Sequence, residues 1–291
     1  MIPAPFDYQV ASSLSEAVAL LERHGEEAKV LAGGQSLLPL LKLRLGQVRL
    51  LVDIGRIPGL AYIKEEGGFL RIGAGTTEAA LERSDLVRAK YPILLDTARV
   101  IADPLVRNRA TVGGNLAHGD PGNDHPATMI ALGAEVVATG KKGERKIPID
   151  KFFTGLFTTA LAVNEILTEI RIPVPPPRSG GAYVKLERKV GDYATAAAAA
   201  QVMLGKGGEV ERTGIGLTNA GPTPVRATEA EQYLGGKKPD AATIAEAARL
   251  AARAAKPSPD RRGTVEYKRE MARVLTARAL TTAVQRAGGQ S

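Results

Sequence analysis

The chain has 291 residues, and its basic side chains outnumber its acidic ones, 39 Lys and Arg against 31 Asp and Glu. The basic residues are scattered, and there is no tryptophan, so the charge favours a solvated surface with a docking face for an acidic partner over nucleic-acid binding. The chain has no cysteine, so it cannot form disulfides, cysteine-ligated zinc sites or iron–sulfur clusters held by its own thiolates. Any redox role must therefore use an organic cofactor or a centre in another chain.

The first elements along the chain predict a small α/β unit over residues 1–57. Ser13 and Glu16 have the spacing of a capping box, and the helix that follows them ends at Gly25. The elements expected next are a strand at 29–31, a helix at 37–43 and a strand at 50–54.

A second unit is predicted over residues 58–176, with shorter segments. The expected elements are a hairpin of strands 62–64 and 69–72 turning at Gly67-Gly68, helices at 77–84 and 92–98, a helix ending near 134, and strands at 135–138 and 165–172. Consecutive prolines within 173–181 favour an extended conformation, which predicts a linker or domain edge there.

A third unit is predicted over residues 177–291. Its expected elements are strands at 183–185 and 210–217 and helices at 240–255 and 264–287. The last helix presents Met271, Val274 and Leu275 on one face. We find no internal repeat of the solenoid type, and the three units together predict an α+β protein.

Three glycine-bearing segments stand out against this background, at 32–36 (A-G-G-Q-S), 72–77 (I-G-A-G-T-T) and 111–115 (T-V-G-G-N). Each is predicted to follow or flank a strand, and glycine lets main-chain amides approach a phosphate closely. A Rossmann site is excluded because Glu78 stands where its third glycine would be, and no P-loop pattern is present. The segments predict a large phosphate-bearing cofactor held from several sides.

The same segments carry a family resemblance. With the following 120–124 (D-P-G-N-D), they resemble the FAD-binding medium subunit of the molybdenum hydroxylases, the xanthine dehydrogenase group. Segments 189–198 (K-V-G-D-Y-A-T-A-A-A) and 214–219 (G-I-G-L-T-N) are similar to the flavoprotein subunit in the aerobic carbon monoxide dehydrogenase branch. The resemblance spans nearly the whole chain. It departs at Gln35, where that branch tends to carry histidine.

The resemblance implies a two-part FAD-binding domain of the vanillyl-alcohol oxidase (PCMH) type, followed by a smaller α+β C-terminal domain. It implies an electron-transfer subunit in a dimer of heterotrimers, with a large molybdenum–pterin partner and a small partner carrying [2Fe–2S] clusters. Electrons would reach an external acceptor such as a quinone. No catalytic residue and no metal site is expected in this chain. Carbon monoxide is the first choice of substrate, while aldehydes, purines and other N-heteroaromatic compounds remain open.

The resemblance also implies which residues bind FAD. Amides of the first segment and the Ser36 hydroxyl would hold the pyrophosphate, Asp124 a ribose hydroxyl, and Lys185 the flavin N1–C2=O edge. Ile101 would pack on the flavin or ribityl chain, and Tyr193 would lie near the ring. The full set is Ala32, Gly33, Gly34, Gln35, Ser36, Leu37, Ile101, Thr111, Gly113, Gly114, Asn115, Asp124, Leu167, Lys185 and Tyr193.

Each assignment has a plainer alternative. The first segment could be a tight turn without a ligand, Asp124 could cap a helix, and Ile101 and Leu167 could be core residues. Lys185 could lie on an exposed strand, and Tyr193 could be buried elsewhere. The only cluster of metal-like composition lacks the spacing of a helical ligand pair; it consists of His118, Asp120, Asp124 and His125.

Two other functions compete with the electron-transfer subunit: a stand-alone FAD oxidase of the same fold and a non-catalytic assembly factor. The N-terminus shows no basic segment followed by an apolar one, and the longest apolar stretch, near 194–204, is too short to cross a bilayer. We therefore expect a cytoplasmic protein that would reach the inner face of the membrane through its complex.

Overall fold

A computed structural model describes residues 2–289 and begins with a three-stranded parallel sheet in the order β1-β3-β2. Its elements are β1 (Asp7–Val10), α1 (Leu14–His24), a 3-10 turn (Gly25–Glu27), β2 (Ala28–Leu31), α2 (Leu37–Lys42) and β3 (Leu50–Asp53). Ser13 caps α1 by accepting from the Glu16 amide at 3.2 Å, as predicted, but the Glu16 carboxylate binds the amide of Ser12 instead of Ser13. Apolar side chains from α1 and β3, such as Leu21 and Val52, form the core of this unit.

The central unit is built on a five-stranded antiparallel sheet in the order β4-β5-β10-β6-β7. Its strands are β4 (Ile63–Glu66), β5 (Phe69–Gly73), β6 (Glu135–Gly140), β7 (Gly143–Pro148), β8 (Phe153–Gly155), β9 (Thr158–Thr159) and β10 (Ile166–Pro173). Its helices are α3 (Glu78–Arg83), α4 (Asp85–Lys90), α5 (Pro92–Arg99), α6 (Pro104–Arg107), α7 (Val112–Ala117), α8 (Asp124–Leu132) and a 3-10 turn (Ile149–Lys151). The hairpin, the helices α3 and α5 and the strand β10 confirm their predictions.

The C-terminal unit is a four-stranded antiparallel sheet in the order β11-β12-β13-β14, covered by three helices. Its elements are β11 (Ser179–Leu186), β12 (Ala196–Leu204), β13 (Val210–Thr218), β14 (Val225–Arg226), α9 (Thr228–Leu234), α10 (Ala241–Ala254) and α11 (Val265–Ala287). The predicted linker is shorter than expected, because β11 already begins at Ser179. The predicted face of α11 is also partly wrong: Leu275 is buried and Met271 packs beside it, but Val274 lies outside this cluster.

Strand β12 joins the central and C-terminal units through a run of buried alanines. Ala197 and Ala199 pack into the central core, while Ala196, Ala198 and Ala200 pack into the C-terminal core. The strand therefore has a helical layer on each face, with α8 on one side and α11 on the other. Small side chains allow both layers to approach the sheet closely.

Candidate functional site

The three glycine segments converge where the N-terminal and central units meet. A Cβ added at Gly33 would overlap the carbonyl oxygen of Arg109, and one added at Gly113 would overlap the side chain of Ala74. The Gly113 amide donates to the Ala74 carbonyl at 3.0 Å, and Thr77 pairs with Thr111 in an isolated bridge. Glycine is required at both close approaches, because any larger residue would push the segments apart.

A cavity of about 440 Å³ opens at this junction. Most of the predicted FAD-binding residues line it: Ala32, Gly33, Gly34, Gln35, Ser36, Leu37, Thr111, Gly113, Gly114, Asn115 and Leu167. A smaller cavity of about 140 Å³ adjoins it and shares Ala32, Gly33 and Thr111. The geometry thus gathers residues that are more than a hundred positions apart in the sequence.

The first glycine segment presents unused hydrogen-bond donors at this cavity. Gly34 has φ +75°, a left-handed conformation that turns the chain between β2 and α2. Within residues 2–289, the amides of Gly33, Gly34 and Gln35 and the hydroxyl of Ser36 donate to no other group. Successive free amides in a turn are the usual way in which backbone binds a phosphate.

The third glycine segment differs from its prediction, because it forms the first turn of helix α7 instead of following a strand. Thr111 holds the N-cap position, where its hydroxyl accepts from the Gly114 amide at 3.1 Å. Asn115 lies one turn further, and its carbonyl accepts from the side chain of Asn123 at 2.8 Å. The side-chain oxygen of Asn115 is buried without a partner among the described residues, and Asn115 is one of the residues that line the cavity.

Asp124 and Lys185 lie outside the lining of this cavity and bind each other. The Lys185 ammonium donates to Asp124 at 3.0 Å and to the Val100 carbonyl at 2.9 Å. The other carboxylate oxygen of Asp124 accepts from the Tyr183 hydroxyl at 2.6 Å. Burial raises the pKa of Asp124, and burial beside Asp124 raises the pKa of the Tyr183 phenol well above its usual value.

The plainer interpretations of these two residues do not hold. Asn123 holds the N-cap position of α8, so the Asp124 side chain is not a helix cap. Lys185 belongs to β11, and its side chain is 2 % exposed, so it is not a solvated lysine on a strand surface.

Ile101 and Tyr193 also lie outside the cavity lining. Ile101 is 6 % exposed, in the turn between α5 and α6. Tyr193 is 45 % exposed and lies against Gly122, with the Arg262 guanidinium 6.0 Å from its ring centre. A buried position for Tyr193 is therefore wrong.

The four candidate metal ligands, His118, Asp120, Asp124 and His125, do not converge on one point. His125 and Glu78 form a fully buried pair at 2.7 Å, and Asp120 accepts from the Gly122 amide at 2.8 Å. The ring of His118 lies 5.3 Å from that of Phe157, and burial lowers the pKa of His118. Across residues 2–289, no group of three or more His, Asp or Glu side chains is placed to hold a metal ion.

The sequence interpretation missed part of the cavity wall. The hairpin of β8 and β9 brings Phe157 and Thr158 to the cavity, and His118, next to Phe157, also lines it. The Phe157 amide donates to the Gly119 carbonyl at 3.1 Å, which fastens the hairpin tip to the turn after α7. Gly155 could have indicated a turn at this hairpin. The contact between the hairpin tip and Gly119, almost forty residues earlier, has no local signature in the sequence.

Free main-chain amides beside close-packed glycines are typical of proteins that bind a phosphate-bearing group. Comparison with known proteins identifies the cofactor. Residues 4–175 match the family described as the FAD binding domain in molybdopterin dehydrogenase, and residues 181–283 match the CO dehydrogenase flavoprotein C-terminal domain. The chain belongs to this family of FAD-binding dehydrogenase subunits.

Individual relatives are similar along their full length. The carbon monoxide dehydrogenase medium chain of Afipia carboxidovorans is 47% identical over 287 residues, covering 99% of both chains. The complex subunit alpha of 6-hydroxypseudooxynicotine dehydrogenase from Paenarthrobacter nicotinovorans is 39% identical, covering 99% of this chain and 97% of its own. A solved carbon monoxide dehydrogenase from Hydrogenophaga pseudoflava, which lacks the Mo-pyranopterin moiety, superposes with a TM-score of 0.96 at 48% identity, covering 98% of this chain and 99% of that chain.

The relatives are named as subunits or medium chains of dehydrogenases. Among residues 2–289, no helix has the length and apolar character needed to cross a membrane.

Proposed function

We propose that this chain is the FAD-carrying electron-transfer subunit of a molybdenum-containing carbon monoxide dehydrogenase. The observation that carries the proposal is the cavity where three glycine segments meet, lined by residues with free main-chain amides and by Asn115, whose side-chain oxygen has no partner among the described residues. The 47% identity to carbon monoxide dehydrogenase medium chains supports carbon monoxide as the substrate of the complex, although a relative at 39% identity is named for 6-hydroxypseudooxynicotine.

The residues present fit FAD. The amides of Gly33, Gly34 and Gln35 and the hydroxyl of Ser36 would bind its pyrophosphate, opposite Asn115. Bound there, FAD would supply a carrier that exchanges electrons singly and in pairs.

The chain's remaining residues would orient and shield the cofactor. Leu167 and the tip residue Phe157 present apolar surface that would exclude water from the cavity. Lys185 and Asp124 would provide a fixed, nearly neutral pair beside the flavin, with Ile101 packed against it. Tyr193 would lie at the solvent-facing edge, where an acceptor arrives.

The absence of cysteine in the sequence means that iron–sulfur clusters would have to be held by a partner. We therefore propose a large molybdenum–pterin partner and a small [2Fe–2S] partner, arranged as a dimer of heterotrimers. The external acceptor would be a quinone, reached from the cytoplasm at the inner face of the membrane. Exposed apolar side chains at Leu45, Leu105 and Val190 offer surface on which partners could dock.

We also propose that the two FAD-binding units, 1–57 and 58–176, form the PCMH-type arrangement, with 177–291 as the flavoprotein C-terminal domain. The support is the position of the cavity between the parallel N-terminal sheet and the antiparallel central sheet.

The test is to purify the native complex through this chain, extract the flavin, and assay molybdenum, iron and carbon monoxide-dependent acceptor reduction together. FAD with both metals, two further polypeptides and activity on carbon monoxide would support the whole proposal. FAD with both metals but activity on an aldehyde or N-heteroaromatic compound would reject the substrate alone. FAD in a single-chain particle would indicate a stand-alone oxidase, and a particle without flavin would overturn the proposal.

A further inference from the structure

Three consecutive main-chain carbonyls, from Val100 to Ala102, each accept a hydrogen bond from a cationic side chain. Lys185 donates to the Val100 carbonyl at 2.9 Å. One nitrogen of the Arg107 guanidinium donates to the carbonyls of Ile101 and Ala102, at 3.1 and 3.2 Å. Hydrogen bonds from charged donors are about twice as strong as neutral ones, so this segment is held firmly.

These three hydrogen bonds stabilise a strained backbone in the segment 100–102. Ala102 has φ +44°, in the left-handed region where a Cβ crowds the following carbonyl. The chain also meets Gly191 at this point, where an added Cβ would lie 2.9 Å from the Ala102 carbonyl carbon. A conformation of this kind persists only where its surroundings fix it, and such strain clusters at functional sites.

Arg107 is itself anchored. Its Nε donates to the Glu82 carboxylate at 3.0 Å, and its side chain is 13 % exposed. The planar guanidinium presents donors in a rigid fork, so it can bind a carboxylate with one edge and two carbonyls with another. A lysine would carry the same charge on a compact ammonium without that fork, and could not reproduce the three contacts.

We propose that Arg107 is a positioning residue for the flavin: it holds the left-handed turn at Ala102 that sets the Ile101 side chain against the cofactor. This inference rests on the proposed function, because it takes Ile101 to be a flavin contact. Arg107 itself would not touch the cofactor. Its effect would pass through the backbone of Ile101 and Ala102.

The test uses the purified complex and three variants. Arg107→Lys removes the fork and keeps the charge, and Arg107→Lys combined with Ala102→Gly supplies a residue that adopts positive φ without steric cost. Arg88→Lys is the matched control, since Arg88 is an exposed arginine that pairs only with Asp85 within the described residues. The readouts are the Kd for FAD after reversible removal of flavin, flavin fluorescence and visible circular dichroism, and amide exchange of the peptide around 99–103.

We expect Arg107→Lys to raise the Kd for FAD at least tenfold, to change the flavin spectra and to speed exchange at 99–103 but not elsewhere. The double variant should reverse at least half of the change in the logarithm of the Kd for FAD. Arg88→Lys should have the wild-type Kd. Unchanged binding and spectra in Arg107→Lys would overturn the inference. Faster exchange throughout the chain, without rescue by glycine, would also overturn it, since it would mean general destabilisation. Flavin extraction from the wild type comes first, so failure of the proposed function is recognised separately.

Discussion

Asp124 and Lys185, which stand sixty-one positions apart in the chain, form a buried ion pair at 3.0 Å. The Lys185 ammonium also lies 3.3 Å from a carboxylate oxygen of Glu187, and it donates to the Val100 carbonyl. The second carboxylate oxygen of Asp124 accepts a hydrogen bond from the Tyr183 hydroxyl. Any contact that either residue makes with FAD must therefore form beside an existing pair, and the pair fixes where those contacts lie.

Replacing Asp124 with asparagine should destabilise the fold, because it leaves the Lys185 charge buried with one carboxylate fewer. We expect a loss of about 3 kcal/mol in the free energy of unfolding, at the low end for a broken buried pair since Glu187 remains. Urea unfolding followed by circular dichroism measures this loss. The exposed Asp85→Asn variant should unfold with the wild type, and equal midpoints for all three proteins would contradict the prediction.

Stability at acid pH should depend on Asp192. A hydrogen bond from Arg262, aided by Arg188, lowers the pKa of Asp192 from its ordinary 3.8 to about 2. A lowered pKa stabilises the folded state fully above the ordinary value, and this stabilisation is lost as the pH falls toward 2. Asp192→Asn should therefore be less stable than the wild type at pH 7, and the gap should close near pH 2. Thermal unfolding across this range measures the gap, and one that stays constant with pH would rule out the linkage.

The close approach at Gly113 predicts a steric effect on the cofactor. In Gly113→Ala, the new methyl group would overlap the Ala74 side chain, so the glycine segments must separate. We expect a loss of about 1–3 kcal/mol in stability and a clear fall in FAD per chain. Gly46→Ala is the control, because Gly46 has open space around it. Flavin content equal to that of the control would show that the segments tolerate the separation.

The fully buried pair of Glu78 and His125 joins helix α3, which begins just after the second glycine segment, to helix α8. In Glu78→Ala, the His125 ring nitrogen would lose its partner, at a cost of about 1–3 kcal/mol. Glu78→Gln keeps a hydrogen-bonding group of similar size and should lose clearly less. Melting temperatures of the two variants provide the comparison, and an equal drop in both would mean that the charge, not the hydrogen bond, matters.

The sequence predicted elements with a strong local pattern. Helix α10 was expected at 240–255 and is found at Ala241–Ala254, and the hairpin of β4 and β5 turns at Gly67-Gly68 as expected. These elements carry their own caps, periodicity and turn residues, so local rules are sufficient to find them.

Elements that depend on distant packing were missed. The alanine run of β12 has the composition of a helix, and it becomes a strand because it pairs along its length with β11 and β13. Helix α7 has two glycines in its first turn, Gly113 and Gly114, and it forms where Thr111 caps it and Ala74 packs against it.

In the candidate site, too, residues that share a local motif could be predicted from the sequence, and contacts between distant residues could not. The residues on the glycine segments come together at one cavity, but whether they and the more distant residues bind FAD remains a prediction. The pairing of Lys185 with Asp124 has no signature in a single sequence, because it is a contact between separate units. The left-handed turn at Ala102 has none because alanine does not favour positive φ.

The shared alanine strand has a consequence for folding. Tyr183, Ala197 and Ala199 belong to the core of the central unit although they follow the proline-rich connection. A fragment ending at that connection would lack them, and helices α5 and α8 would lose the sheet that covers them. The proline-rich connection therefore separates two different sheets, but the residues on its two sides unfold as one cooperative unit. The central and C-terminal units should melt together in a single transition, and neither should be expected to persist when expressed alone.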